Sequence, residues 1–120
     1  MKELTMGMLE TKFADIIWEN EPILSGELSA LAEKELKWKK PTSFTVLRRL
    51  CDKGIFVNKK GVVTSLMSKT EYNALRSEQF IEGNFGGSLP AFVAAFTSRK
   101  GLKPAEIEEL RNLIEEYEEE

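Results

Sequence analysis

Basic and hydroxyl side chains are concentrated in one short window of the sequence, residues 34–60. The window holds nine Lys or Arg against two acidic residues, although the whole chain has 17 basic and 20 acidic residues and a formal net charge of -3. Lysine binds phosphate, arginine can also pair bidentately with guanine, and threonine can reach phosphates or base edges. An acidic chain with its positive charge gathered in this way is typical of a local nucleic-acid interface.

The window is built around a predicted helix. Pro41 suits its first turn and Gly54 suits a left-handed cap at its end. The inward face is apolar apart from one serine and consists of Ser43, Val46, Leu47 and Leu50. The outward face consists of Thr42, Phe44, Thr45, Arg48 and Arg49. Lys39 and Lys40 stand just before or at its start, where backbone amides also favour an anion.

Two further helices precede this one. Phe13, Ile16 and Ile17 recur at helical spacing and predict a first helix over 9–20, which Asn-Glu-Pro ends. Ser25 is the predicted N-cap of a second helix. The buried stripe predicted for that helix is Leu28, Leu31 and Ala32.

The segment "IFVNKKGVVTSLM" follows the third helix and contains two β-branched runs separated by "NKKG". This pattern predicts a β-hairpin, with Lys59 and Lys60 at a basic tip. Three helices and a basic hairpin, in that order, indicate a winged helix-turn-helix, whose third helix enters the major groove of DNA. The predicted fold class is mainly α with a small β-wing, followed by a C-terminal helical dimerisation region.

The charge changes along the chain. Residues 1–76 carry 13 basic and 10 acidic residues, and residues 77–120 carry 4 and 10. We expect a DNA-binding domain over 1–68 and a dimerisation region over 69–120, with helices near 69–82, 88–98 and 104–118.

The last predicted helix carries an apolar stripe spaced 3, 4, 3, which suits packing against another helix. The stripe could pack within one chain, but short helices linked by glycines make a poor core of their own, so a homodimer is favoured. The predicted dimerisation residues are Phe92, Phe96, Ile107, Leu110, Leu113, Ile114 and Tyr117.

Composition argues against several classes of function. Histidine is absent, and Cys51 is the one cysteine, so neither a disulfide framework nor the usual general base is available. We expect no enzyme activity, no cofactor and no metal, and a location in the cytoplasm without membrane insertion. Cys51 is predicted to be a small buried hydrophobe, and Trp18 and Trp38 are predicted core anchors.

The sequence also resembles the penicillinase-repressor family of bacterial regulators over nearly its whole length. The motifs are "IIWENEP", "FGGSL", "EIEELRNLIEE", Ser-x-x-Glu-Tyr at 68–72, and the set Trp38, Thr42, Thr45, Arg49, Leu50, Asp52, Lys53 and Gly54. The resemblance implies a homodimeric repressor of an operator with dyad symmetry. It places Thr42, Thr45 and Arg49 on recognition-helix positions.

The chain departs from the family pattern at Pro41, where lysine is frequent, and at Ser43, where an apolar residue is frequent. β-Lactamase repressors are cut at an Asn-Phe bond, and the nearest match here is Ala95-Phe96. The resemblance therefore suggests a regulatory protease as a possible partner and leaves the inducing signal unidentified. The cysteine cluster of the copper-responsive branch is absent.

Some alternatives stay open at this level. The predicted DNA-binding residues are Lys39, Lys40, Thr42, Phe44, Thr45, Arg48, Arg49, Lys59 and Lys60. Of these, Phe44 either contacts DNA or packs on the wing, and Arg49 either contacts DNA or ties its helix to a neighbouring acidic helix end. A winged-helix module that binds protein and no longer binds DNA is the alternative function.

Overall fold

The architecture comes from a computed structural model, which describes residues 4–118. Its elements are α1 (Met8–Asn20), β1 (Ile23–Leu24), α2 (Ser25–Leu36), α3 (Lys40–Asp52), β2 (Phe56–Lys59), β3 (Val62–Ser65), α4 (Lys69–Phe85), α5 (Leu89–Arg99) and α6 (Pro104–Glu118). This order confirms the predicted fold class of a mainly α chain with a small β-wing followed by C-terminal helices. The chain forms two compact units, one ending at Ser77 and one beginning at Glu78. None of the helices described between residues 4 and 118 is long and apolar enough to cross a membrane.

The N-terminal unit has a core made by the apolar faces of its three helices and its sheet. Phe13, Ile17, Leu28, Leu50 and Val63 are all but fully buried. Complete burial of one such side chain contributes about 1.5–3 kcal/mol. The core therefore fixes which face of each helix points inward.

Both tryptophans extend this core, as predicted. The indole N–H of Trp18 donates to the Met67 carbonyl at 3.0 Å, and its ring lies 5.2 Å from that of Phe56. The Trp38 ring lies 5.2 Å from that of Phe13. Both indoles are partly buried against the core. Trp18 thus ties α1 to the segment after β3, and Trp38 holds the connection between α2 and α3 against α1.

Helix α3 begins and ends close to the predicted positions. Pro41 occupies its first turn. Gly54 follows its end at φ 83°, a left-handed conformation that glycine adopts without strain. The Gly54 N–H donates to the Cys51 carbonyl at 2.9 Å, and the Ile55 N–H donates to the Leu50 carbonyl at 3.2 Å. These bonds satisfy the last carbonyls of the helix and direct the chain into β2.

The hairpin is confirmed, and it is part of a larger sheet than the sequence predicted. Lys60 and Gly61, at φ 53° and 86°, form the two-residue turn between β2 and β3. Both positive angles are typical of a tight hairpin turn. The Asn58 side-chain oxygen accepts from the Gly61 N–H at 3.0 Å and holds the turn. Strand β1 pairs with the other edge of β3, which gives the antiparallel order β1-β3-β2.

The prediction that Ser25 caps α2 is wrong. Leu24 occupies the N-cap position, and no side chain caps the helix. The reason is the unpredicted strand, because Leu24 pairs with Val62 and so brings the helix start against the hairpin. The Ser25 N–H donates to the Gly61 carbonyl at 2.8 Å. A backbone carbonyl of the hairpin thus satisfies the donor at Ser25 itself.

The C-terminal unit has little internal core. Phe80, Phe85 and Phe92 form a ring cluster with centroids 5.6–6.0 Å apart, and Phe96 extends it at 6.2 Å from Phe92. Even so, no residue described from 78 to 117 is buried within the single chain. Helices of this kind need further apolar contacts to be stable.

Candidate nucleic-acid interface

The outward face of α3 is as predicted. Thr42, Phe44, Thr45, Arg48 and Arg49 are all exposed, whereas the residues between them face the core. Thr42, Thr45 and Arg49 are spaced i, i+3, i+7 and therefore form one stripe along the helix. A rigid helix held by its buried side presents this stripe to a partner in a fixed arrangement.

The start of α3 has an unusual distribution of charge. Lys39 is the N-cap residue and Lys40 the first helical residue, and no acidic residue lies in the first turn. Positive charge at the positive end of a helix dipole is unfavourable by a few tenths of a kcal/mol in isolation. A phosphate bound at this end would be attracted both by the two lysines and by the helix dipole, which more than offsets that repulsion. The two lysines thus favour anion binding at this end of α3 and slightly destabilise the helix when no anion is bound.

The two arginines of this face differ in their surroundings. Arg49 Nη1 lies 3.4 Å from Glu10 Oε1, which is in the first turn of α1. Arg48 makes no ion pair or side-chain hydrogen bond within residues 4–118. The link between Arg49 and an acidic helix end, one of the two alternatives, is therefore present. It is compatible with the other alternative, because the Arg49 side chain stays 52% exposed.

Phe44 lies where α3 faces the wing. Together with Leu47, Cys51 and Phe56 it lines an open groove of about 370 Å³, whose polar members include Arg48 and Asn58. Phe44 is 36% exposed, and the ammonium of Lys40 lies 5.9 Å from the centroid of its ring. Phe44 thus borders the wing groove and keeps part of its ring open to solvent.

Two other side chains in this region have their chemistry set by local contacts. The Thr45 hydroxyl donates to the Pro41 carbonyl at 2.9 Å, so its oxygen remains an acceptor and its methyl group is available for apolar contact. Cys51 is half-buried, in partial agreement with the prediction. Burial raises the pKa of the Cys51 thiol, and the charge of Asp52 raises it further. The thiol is therefore less ionised than a free cysteine.

The wing contributes the second basic segment. Lys59 ends β2, Lys60 lies in the turn, and both are exposed. Arg48 of α3 and Asn58 of β2 line the same groove, so the wing begins directly beside the outward face of α3. Lys59 and Lys60 lie at the turn end of this hairpin.

Sequence reasoning missed two residues of this region. Asn58 fixes the hairpin turn, and the "NKKG" segment contained that signal. Glu10 pairs with Arg49 from 39 residues away in the sequence. No local pattern links those two positions, although an acidic partner for Arg49 was one of the alternatives considered.

The predicted dimerisation residues of α6 form an exposed apolar face. The exposed fractions are 41% for Ile107, 39% for Leu110, 52% for Leu113, 59% for Ile114 and 72% for Tyr117. Phe96 of α5 is 47% exposed and Phe92 is partly buried in the ring cluster. Large contiguous apolar patches are uncommon on the surface of monomeric proteins.

The bond between Ala95 and Phe96 lies within α5. The Lys100 N–H donates to the Phe96 carbonyl at 3.0 Å, so the backbone there belongs to the helical hydrogen-bond ladder. Both side chains are exposed. Cleavage at this bond would require local opening of the helix. Among the described residues, no group of three or more His, Cys, Asp or Glu is arranged to hold a metal ion.

The three-helix core, the β-wing and the exposed face of α3 define a winged helix-turn-helix protein. The sequence profile of the penicillinase repressor family matches residues 6–116. The chain belongs to that family, which confirms the resemblance seen in its motifs.

Its relatives include two kinds of regulator. A penicillinase repressor of Bacillus licheniformis is 28% identical over 112 residues, which cover 90% of this chain and 88% of that protein. The methicillin resistance regulatory protein MecI of Staphylococcus aureus (strain Mu50) is 26% identical over 117 residues, or 94% of this chain and 95% of MecI. A penicillinase repressor of Staphylococcus aureus is 24% identical over 117 residues, covering 94% and 93%.

Proposed function

We propose that this protein is a homodimeric bacterial transcriptional repressor that binds palindromic double-stranded operator DNA. The observation that carries the proposal is the exposed Thr42, Thr45, Arg48 and Arg49 face of α3, beside a basic wing. Membership of a repressor family and relatives named as repressors of penicillinase support the same class. Repression would come from occupation of the promoter.

In this proposal each part of the interface has a separate task. The α3 stripe reads bases in the major groove, because arginine can pair with guanine and threonine with base edges or thymine methyl groups. Backbone contacts set the register, and basic side chains outside the stripe supply them. The proposed DNA-binding residues are Lys39, Lys40, Thr42, Phe44, Thr45, Arg48, Arg49, Lys59 and Lys60.

A double substitution tests the reading face. Arg48→Ala/Arg49→Ala should weaken binding to a duplex enriched from a random pool by the wild-type protein, by about 1–3 kcal/mol for each base-reading interaction that the variant removes. The slope of log K against log salt should also become shallower, since fewer phosphates are neutralised. Anisotropy of a labelled duplex of about 30 base pairs, long enough for two half-sites, reports both quantities.

The chain offers a matched control for that variant. Arg99 and Lys100 are another adjacent pair of exposed basic residues, at the end of α5. Arg99→Ala/Lys100→Ala removes the same charge and should leave affinity and salt slope unchanged. Equal weakening of DNA binding by both variants would mean that the effect comes from net charge alone. No weakening by either variant would refute the assignment of α3 as the recognition helix. Binding of protein but not DNA would favour a winged-helix interaction module.

The proposed division of labour assigns DNA binding to residues up to 68 and dimerisation to residues from 69 onward. A two-fold symmetric dimer places two recognition helices on half-sites of a palindrome. The proposed dimerisation residues are Phe92, Phe96, Ile107, Leu110, Leu113, Ile114 and Tyr117. Their exposure within one chain supports the assignment, since a second chain would cover them.

A charge placed on either side of α6 tests the dimer. Leu110→Glu introduces a buried charge at the proposed seam and should give monomers in sedimentation velocity. Asn112→Glu introduces the same side chain two positions on, about 200° around the helix, and should leave the dimer intact. Dimers of both variants, or monomers of the wild type, would contradict the assignment.

Relief of repression would come from a signal that is still to be identified, or from proteolysis. The candidate bond for a regulatory protease is Ala95-Phe96, in the proposed dimerisation region. Cutting there would separate α6 from the DNA-binding part of the chain and so lower operator affinity. Mass spectrometry of the protein recovered from induced cells would detect fragments ending at Ala95, and an intact chain under full induction would exclude this route.

A further inference from the structure

We infer that Glu10 is a positioning residue for DNA recognition: its carboxylate holds the Arg49 guanidinium in a fixed orientation on the outward face of α3. The inference rests on the proposed DNA-binding function and adds a residue outside α3 and the wing. It assigns to Glu10 an effect on sequence discrimination rather than a direct contact with DNA.

The contact joins two helices of the N-terminal unit. Glu10 lies in the first turn of α1 and Arg49 in the last turn of α3, with 3.4 Å between Oε1 and Nη1. Across residues 4–118, Arg49 is the one cation within ion-pair distance of Glu10. The orientation of either side chain is therefore tied to the other.

The environment of Glu10 favours a persistent contact. Its side chain is only 20% exposed, and its second oxygen, Oε2, is buried without a hydrogen-bond partner in the described part of the chain. A partly buried carboxylate is costly to leave unpaired. Moving the guanidinium away would leave the Glu10 charge uncompensated, so the carboxylate favours one placement of Arg49.

The contact also leaves Arg49 able to bind DNA. A guanidinium has five N–H donors, and only one nitrogen faces Glu10. The Arg49 side chain is 52% exposed and continues the Thr42 and Thr45 stripe. Ordering a long side chain in advance removes part of the entropy cost of binding, an effect of roughly three- to tenfold in affinity for one such side chain.

Arg48 provides an internal comparison. It is exposed on the same face and makes no ion pair within residues 4–118. Its charge is equal to that of Arg49 and its position differs by one residue. If Glu10 acts through Arg49, the effect of Glu10 must survive the loss of Arg48 and vanish with the loss of Arg49.

The experiment is a pair of double-mutant cycles with full-length protein. Glu10→Ala is measured in the wild-type, Arg49→Ala and Arg48→Ala backgrounds, against the enriched duplex and a scrambled duplex at one salt concentration. In the wild-type background, Glu10→Ala should weaken binding to the enriched duplex roughly three- to tenfold. Binding to the scrambled duplex should not weaken, because the variant loses a negative charge that repels phosphate.

The backgrounds then decide whether the effect passes through Arg49. The weakening should disappear in Arg49→Ala and persist in Arg48→Ala. Glu10→Gln keeps an oxygen acceptor and the side-chain shape, so it should retain part of the discrimination. A purely structural role for Glu10 would lower binding to both duplexes, and would do so in every background. If Glu10→Ala does not fold, the Glu10→Gln variant carries the same cycles.

Three results would overturn the inference. Glu10→Ala could tighten binding to both duplexes equally, in which case Glu10 only repels phosphate or competes with DNA for Arg49. It could weaken binding equally in the Arg49→Ala background, or it could change nothing. In each case a wild-type preference for the enriched duplex leaves the proposed function standing. If the wild type has no preference and Arg48→Ala/Arg49→Ala has no effect, the proposed function itself fails.

Discussion

Replacing Ser43 with alanine should raise the free energy of unfolding by about 1–2 kcal/mol. Ser43 is 3% exposed on the inner face of α3, and its hydroxyl has no hydrogen-bond partner within residues 4–118. A buried hydroxyl without a partner costs about 1–3 kcal/mol. Alanine is also favoured over serine inside a helix, by about 0.5 kcal/mol. Only one oxygen atom is removed, so the cavity left behind is small.

Ser77→Ala is the matched control for this prediction. Ser77 is exposed on α4, and its hydroxyl donates to the Asn73 carbonyl at 2.9 Å. It gains the same helix preference without removing a buried hydroxyl, so its effect should stay within about 0.5 kcal/mol. Urea unfolding of wild type, Ser43→Ala and Ser77→Ala at equal protein concentration measures the difference, since the stability of a dimer depends on concentration.

Two results would refute the reasoning about Ser43. If Ser43→Ala is less stable than wild type, the hydroxyl makes a stabilising hydrogen bond, and the serine contributes to the stability of the inner face of α3. If Ser43→Ala alters affinity for the enriched duplex under conditions where both proteins are folded, the inner and outer faces of α3 are misassigned. Unchanged affinity with increased stability supports both the burial and the orientation of this helix.

Three other perturbations test the core, the sheet and the thiol. Leu50→Ala should cost about 2–5 kcal/mol in urea unfolding, because the side chain is fully buried; a cost below about 1 kcal/mol would contradict its place in the core. Glu21→Ala should cost about 1.5–3 kcal/mol, since its carboxylate accepts from the Ser65 N–H at 2.7 Å and hydroxyl at 2.8 Å; Ser65→Ala, which keeps the N–H bond, should cost less. Because burial raises the pKa of the Cys51 thiol, iodoacetamide at pH 8 should alkylate the folded protein more slowly than the urea-unfolded chain, and equal rates would contradict that environment.

Most of the fold could be predicted because its signals are local. Helical spacing of apolar residues predicted α1 and α3, and the two β-branched runs around Asn-Lys-Lys-Gly predicted the hairpin. Strand β1 could not be found in this way. It is two residues long and exists because Ile23 and Leu24 pair with β3, far along the chain. The misplaced cap at Ser25 has the same cause.

In the candidate site too, features with local signals could be predicted from the sequence, and features that depend on tertiary packing could not. Exposure of the Thr42, Thr45 and Arg49 stripe follows from the burial of the opposite face, which sequence periodicity indicates. The identity of the Arg49 partner does not, because Glu10 approaches only when α1 packs beside α3. The groove at Phe44 likewise depends on how closely β2 approaches α3.

Recognition of operator DNA is tested by enrichment of duplexes from a random pool by the full-length protein, followed by anisotropy titration of the enriched and scrambled duplexes at low and high salt. A homodimeric repressor should enrich a sequence with dyad symmetry. It should bind that sequence more tightly than the scrambled duplex, and log K should fall with log salt, as phosphate contacts require. Failure to enrich any sequence, or equal and salt-independent affinity for an enriched and a scrambled duplex, would contradict recognition of operator DNA by this winged helix.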